Sequence, residues 1–540
     1  MGVNPRSAEA RDARAPLSEE RTDQDDESRS IDELTWQTRR FLERNVDAAR
    51  IDRHACIEPE LLAGAAKLGL FGLTIPEAYG GLGLSLRGAC RIIAEIARID
   101  RSVAITIGLH AGLGTRGLIE YGSAETKAEW LPILATGAAV AAFGATEPGA
   151  GSDVAAISMH GRPVQGGLIV NGEKSYVTNG GFAGLFTVLV RTPSLGGRRT
   201  FSLVVIPKCA PGLSIGREEQ KLGIRGSSTV SLHLDDVFVP DRCILGAQGR
   251  GLEHIAGILA WGRTLLAAGC VGTARAALSA AVRHVTHRRQ FGRTLGEFSS
   301  TRRLISDMAA ALYAMDALVD WVGRESASGT EILRSSAAAK IFCSETSFEV
   351  VDRALQLHGA LGFLEPTGIA QLLRDVRVTR IFEGANEVLL VREGTDRMSR
   401  SCAAGGASAP FTPSDSNPRL HGLIELWTLH NARFGQMLTS VREKFGIKVV
   451  HHQTLLQALA RGGISLDVAA AVIRRANRVD LSPDEFRLAE HAVCRQLDVL
   501  QQHLDEAEPA TTSEARELAL SEAVYLEHGD AVNALYPVHA

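Results

Sequence analysis

Phe143-Gly144-Ala145-Thr146-Glu147-Pro148-Gly149-Ala150-Gly151-Ser152-Asp153 marks the point at which the texture of this 540-residue chain changes. Before it, from Ile31 to about residue 142, apolar residues recur at helical spacing, as at Leu61-Leu62 and Ile92-Ile93-Ile96, and Ser30-Ile31-Asp32-Glu33 has the spacing of a capping box. After it, residues 143 to 250 carry β-rich runs at Phe186 to Val190, Phe201 to Ile206 and Thr229 to Val239, with Asn171-Gly172 reading as a hairpin turn. The string's glycines let main-chain N–H groups approach a flat polar ligand, and Thr146 and Ser152 add hydroxyls. By composition alone a tight turn is the simpler reading of it.

Long Ala/Leu-rich helical patterns return from Leu252 to Met398, including Leu265 to Thr286 and Leu304 to Val322, lengths that suit a helical bundle. Residues 400–418, rich in Ser, Ala, Gly and Pro, read as a linker. A further helical domain is expected over 419–540, where Ser482-Pro483-Asp484-Glu485 joins a capping box to proline at the first helical position. The predicted fold is therefore α+β: an N-terminal helical domain (31–142), a middle β-barrel domain (143–250), a helical bundle (251–399) and the appended helical domain. Residues 1–30 mix arginines with eight acidic residues and little that is apolar, which predicts a disordered tail and suits neither a secretory signal nor an acid-poor transit peptide.

Apolar residues make up 45% of the chain and charged residues 22%, with a net charge of -4, so nothing in the composition calls for nucleic acid. Eight cysteines without a Cys-x-x-Cys pair imply reduced thiols and a cytoplasmic protein. Leu131 to Ala145 and Gly257 to Val271 are the most apolar stretches; Pro132 and Arg263 interrupt them, and no membrane span is expected. Arg461, Arg474, Arg475 and Arg478 stand among Ile464, Leu466, Val468 and Val472, an arrangement that fits peripheral membrane contact of the C-terminal domain or plain helix packing. His358 has no second His or Cys at metal spacing, so no metal is expected. Gly112-Leu113-Gly114-Thr115-Arg116-Gly117 fits a dinucleotide fingerprint literally, yet no acidic residue follows at the required distance, and close helix packing at small residues explains it better.

Six blocks stand in order along the chain. They are the string at 143–153, then Gly172-Glu173-Lys174-Ser175-Tyr176-Val177-Thr178-Asn179-Gly180, Lys221-Leu222-Gly223-Ile224-Arg225-Gly226-Ser227 and Arg288-Arg289-Gln290-Phe291-Gly292. Gln356-Leu357-His358-Gly359-Ala360-Leu361-Gly362-Phe363 follows, and Arg374-Asp375 leads to Ile381-Phe382-Glu383-Gly384-Ala385-Asn386-Glu387. Together they resemble the signatures of the acyl-CoA dehydrogenase family, and the length and extra C-terminal helices look most like its very-long-chain branch.

That resemblance implies FAD between the β-domain and the helical bundle, with Phe143, Ala145, Thr146, Tyr176, Val177 and Thr178 along the flavin ring. It implies that Arg288, Gln290 and Phe291 contact the adenosine diphosphate half of a neighbouring subunit's FAD, approached from the partner side by Gln356, Gly359 and Ala360. Ala385 and Glu387 fall in the cofactor-binding block, Ala385 where the family usually has Thr. Tyr176 stands for a usual Trp, Ala360 for a usual Gly and Ser299 for a usual Gln. Glu383 is the implied catalytic base, removing the α-proton of an acyl thioester while hydride passes to flavin N5. Ser152, Arg263, Phe382 and Gly384 would meet the substrate; where some relatives carry the base on a helix before an arginine, this chain has Gly262 before Arg263. The implied partners are a fatty acyl-CoA, or an acyl-carrier protein with the same pantetheine arm, an electron-transfer flavoprotein or oxygen as oxidant, and a second copy of the chain in a homodimer. A flavin-free scaffold that kept the fold is the alternative of a different class.

Overall fold

The computed structural model describes residues 19–195, 198–329, 332–400, 411, 417–477 and 481–507. Helices come first: α1 (Glu19–Asn45), α2 (Ala48–His54), α3 (Pro59–Lys67), α4 (Leu86–Ile99), α5 (Arg101–Leu109), α6 (Thr115–Tyr121) and α7 (Ala124–Ala135). The sheet follows with β1 (Ala141–Gly144), β2 (His160–Val164), β3 (Gly167–Thr178), β4 (Leu185–Leu195), β5 (Arg198–Pro207), β6 (Leu213–Ile215), β7 (Thr229–Pro240) and β8 (Ile244–Leu245). Next are α8 (Gly251–His287), the short β9 (Arg289–Gln290) and β10 (Arg293–Thr294), then α9 (Ser299–Ala327) and α10 (Leu333–His358). The chain continues through α11 (Ala360–Phe363), α12 (Ile369–Arg377), α13 (Asn386–Arg400), α14 (His421–Phe445), α15 (Gln453–Ala476) and α16 (Pro483–Ala507).

Strand order is β6-β7-β3-β2-β4-β5-β8, with β1 parallel to β4. The path is open between β6 and β8, edge strands of three and two residues, so the middle domain is a sheet that does not close into a full barrel among the described residues. Asn171-Gly172 is not a hairpin turn. It lies inside β3 at a register shift, with Gly172 at φ 138° and a would-be β-carbon only 2.8 Å from the Met159 main chain. Asn171 instead bonds Asp236 on β7 through both ends of its amide, and a bulge results.

Two apolar clusters organise the molecule. One fills the β-domain and takes in Ile255 and Ile258 from the start of α8. The other joins α4, α8, α9, α10 and α13 to α14–α16, so the appended helices share the bundle's core rather than forming a separate one. At the tightest crossing, a β-carbon on Gly272 of α8 would lie 2.0 Å from the Ala94 carbonyl of α4, which only glycine permits.

Several sequence expectations change. Helix α1 begins at Glu19, so residues 19–30 of the expected tail are helical and Ser30 lies inside α1 instead of capping it; once the later turns are packed, extending the helix toward its N-terminus requires no new nucleation. Residues 1–18, 401–410, 412–416, 478–480 and 508–540 lie outside the described residues, and with them Arg478, most of the expected linker and the end of the appended domain. Within the linker, Arg400 ends α13 and Phe411 packs edge-on against Trp427, with ring centres 5.1 Å apart. Helices α8 and α15 are long and apolar enough to cross a bilayer, but both are mostly buried core helices. Arg474 lies over Trp321 and Arg475 bonds Asp316 at 2.8 Å, so this part of α15 presents no free basic face and packs as a core helix. Ser482 and Glu485 form the predicted capping box of α16.

Candidate active site

Glu383 stands on the short loop before α13 with φ at 55°, a left-handed conformation that costs a non-glycine residue on the order of 1–3 kcal/mol. Two buried cations hold that loop by its main chain. Arg263 of α8 donates from Nε to the Glu383 carbonyl at 2.9 Å. Lys340 of α10 donates from Nζ to the Gly384 carbonyl at 2.7 Å and to Asn386 Oδ1 at 2.6 Å. Asn386 passes the restraint on, donating to Ser344 and Glu345. Charge-assisted bonds from two helices thus fix a strained backbone.

The Glu383 side chain enters a cavity of about 950 Å³. Its Oε2 is buried with no hydrogen-bond partner, 2.7 Å from the place a β-carbon would take on Gly262. Gly262 therefore leaves the carboxylate its room. Burial pushes the carboxyl pKa up to about 7, against the opposing pull of Arg263, Lys340 and Arg101. Burial likewise lowers the pKa of the Arg263 guanidinium, opposed by Glu383, and brings the Lys340 amine down to about 8.

The β-domain supplies the other side of the cavity: Phe143, Ala145, Thr146, Ser152, Ser175, Tyr176 and Thr178 line it together with Arg263, Phe382, Glu383 and Gly384. The Thr146 carbonyl accepts from Ser175 N at 2.9 Å, which sets the glycine-rich loop beside β3. Glu147, read from sequence as a turn residue, anchors that loop: it pairs with buried Lys174 at 2.7 Å and accepts from Ser158 and Met159. Val177 departs from its expected place. Past a register shift between Lys174 and Val177, Val177 points into the β-domain core while Ser175, Tyr176 and Thr178 line the cavity.

Ala385 and Glu387 do not line the cavity; the Ala385 carbonyl accepts from Val388 and Leu389 in the first turn of α13, and Glu387 is exposed. Arg288, Gln290 and Phe291 sit at the exposed β9–β10 hairpin, Phe291 being 92% exposed. Gln356, Gly359 and Ala360 are exposed at the end of α10, and stacking of His284 on His358 brings the ends of α8 and α10 together. His358 also bonds the Ala354 carbonyl, and among the described residues no cluster suited to a metal occurs. The glycines at 112–117 are packing sites: a β-carbon on Gly114 would meet the Ala141 main chain at 2.9 Å.

Lys340 and Arg101 are the site residues that motif reading missed. The available signal for Lys340 was a cation inside the apolar run Ala337-Ala338-Ala339-Lys340-Ile341. Arg101, 2% exposed at the start of α5, had no comparable signal.

A strained carboxylate with a buried, unpartnered oxygen thus faces a cleft between the helical bundle and a hydroxyl-lined sheet, which is the setting of an enzyme site. The chain belongs to the acyl-CoA dehydrogenase family: residues 28–138, 142–237 and 249–393 match its N-terminal, middle and C-terminal domains. It is 32% identical over 492 residues to the mouse very long-chain specific acyl-CoA dehydrogenase, covering 84% of this chain and 75% of that protein. The acyl-CoA dehydrogenase of Bacillus anthracis complexed with FAD superposes with a TM-score of 0.80 at 27% identity, covering 91% and 90% of the two chains. The prolyl acyl carrier protein oxidase AnaB superposes at 0.64 with 26% identity, covering 67% of this chain and 97% of that one.

The protein is thus an FAD-dependent oxidoreductase, and its residues fit the cofactor. Tyr176 offers a ring that is 67% exposed at a φ of 56°, Thr146, Ser175 and Thr178 offer hydroxyls, and nothing lies within 4 Å of a would-be β-carbon on Gly149 or Gly151.

Proposed function

We propose that this enzyme removes two hydrogens from the α and β carbons of a saturated fatty acyl thioester, giving the trans-2-enoyl thioester, with Glu383 as the α-proton base. The observation that carries the reading is the Glu383 carboxylate: buried, unpartnered at Oε2, and brought to a pKa of about 7 inside the cavity. An α-C–H is a weak acid, so its base must be desolvated and held in position. Arg263 and Lys340 hold it through the main chain, leaving the carboxylate itself free to take the proton.

FAD, held by Thr146, Tyr176 and Thr178, supplies the acceptor for the β-hydride when bound. Ser152 would steady the pantetheine arm at the cavity mouth, and Phe382 and Gly384 would flank the thioester. An electron-transfer flavoprotein is the oxidant we propose. The exposed hairpin with Arg288, Gln290 and Phe291 and the exposed turn with Gln356, Gly359 and Ala360 would meet a second copy across a homodimer, each side completing the adenosine end of the other's FAD.

Anaerobic addition of a saturated acyl-CoA should bleach the flavin, and Glu383→Gln should abolish bleaching with FAD still bound. Bleaching by the Gln variant at the wild-type rate would refute the assignment. Running the same assay with an acyl-carrier-protein thioester identifies the pantetheine donor.

A further inference from the structure

We infer that Arg101 is a specificity determinant that receives a carboxylate at the far end of the acyl chain, making the preferred substrate an ω-carboxyacyl thioester. The inference rests on the dehydrogenase reading of the same cavity and adds to it the chemistry of the chain's other end.

Arg101 is among the largest fully buried side chains of the protein and lines the cavity that Glu383 enters. Its Nε and Nη1 have no hydrogen-bond partner; Nη2 reaches only the Cys270 thiol, at 3.6 Å. Thiol sulfur is a weak acceptor, so most of a five-donor fork is unused. Other buried cations each meet an oxygen partner, even where, as at Arg397 Nε, one donor is left over. Arg263 and Lys340 are spent on the Glu383 loop, Lys174 on Glu147, and Arg397 on Asp467 and Glu393.

Carboxylates near Arg101 do not neutralise it. Asp100 uses Oδ1 to cap α5 at Val103 N, and its Oδ2 has no partner. Glu383 feels the charge but its Oε2 is likewise unpartnered. Nor does the helix benefit, because a cation in the first turn of α5 opposes the helix dipole. Space for the guanidinium is built in: a β-carbon on Gly269 would lie 2.1 Å from Nη1.

A buried guanidinium with idle donors is costly unless an anion meets it. A methyl-ended chain filling the cavity would leave those donors against hydrocarbon, whereas a carboxylate can accept from one edge of the fork, taking one idle nitrogen together with Nη2 in place of its weak contact with Cys270. Such a site discriminates strongly, because the analogue lacking the polar group leaves a buried donor unmet.

The test uses FAD-loaded enzyme with matched pairs of methyl-ended and ω-carboxy acyl-CoAs over a range of chain lengths. Flavin reduction gives kcat/KM, and calorimetry gives Kd for the corresponding trans-2-enoyl-CoAs without turnover. At the length that reaches Arg101 the ω-carboxy member should be favoured about 100-fold in both measures. Arg101→Leu should erase that ratio and Arg101→Lys should keep part of it. A preference for methyl-ended chains at every length in the wild type overturns the inference without recourse to any variant, as does a ratio that survives Arg101→Leu. If neither series reduces the flavin, the dehydrogenase reading fails, and the calorimetric ratio still decides for or against Arg101.

Discussion

Replacing Glu383 by Gln should raise the protein's stability at alkaline pH while destroying its activity. The exchange keeps volume and removes charge. In the unfolded chain the carboxyl has its ordinary pKa of 4.5; in the fold, burial outweighs Arg263, Lys340 and Arg101 and takes it to about 7. A carboxyl whose folded pKa is raised favours the fold when protonated, so that contribution is complete below pH 4.5 and lost as pH rises through about 7. Above that, the ionised side chain costs the native state about 3 kcal/mol, from about 1.36 kcal/mol for each pH unit between the two values. Glutamine carries no such cost. Urea unfolding of both proteins at about pH 4.5 and about pH 8.5 should give similar stabilities at the acid end and a variant more stable by up to about 3 kcal/mol at the alkaline end. Flavin reduction by acyl-CoA should fall at least about 100-fold. A stability difference that does not change with pH would mean that the carboxylate is solvated, and the argument from burial would fail.

The wild-type rate of flavin reduction should rise with pH through about 7, since only the ionised Glu383 accepts a proton; a rate flat from pH 5 to 9 in stopped flow would count against this. Gly262→Ala places a β-carbon 2.7 Å from Glu383 Oε2 and 2.5 Å from Leu113, and should slow reduction about tenfold or more while FAD stays bound. Lys340→Met removes the donor to the Gly384 carbonyl and Asn386 Oδ1, and should cost about 3 kcal/mol in urea unfolding together with a fall in kcat larger than any rise in KM.

Much of the architecture was legible because it is written in local periods. The switch from helical to two-residue spacing near Phe143, the return to long helices after Leu252 and the cap at Ser482 each depend on residues a few positions apart. Local reading failed where a distant contact decided the outcome. Asn171-Gly172 became a bulge because Met159 and Asp236 press on it from either side, and although Glu147 does open the expected turn with Ala150, its pairing with buried Lys174 could not be read locally. Arg474 and Arg475 of α15 were spelled like a surface but are spent on Trp321 and Asp316 of the bundle, while Arg461 is exposed.

The order of motifs, read along the chain, determined the family, the cofactor and the position of Glu383, because those depend on residue types at short spacing. Sequence could not supply the environment of that carboxylate. Arg263 meets the Glu383 carbonyl across 120 residues of chain, Lys340 meets Gly384 across 44, and the glycine that leaves room for the side chain belongs to α8. Desolvation and electrostatic pull depend on distance in space, and only tertiary packing sets Arg263 and Gly262 on the wall of one cavity with the idle guanidinium of Arg101, and Lys340 behind the Glu383 loop.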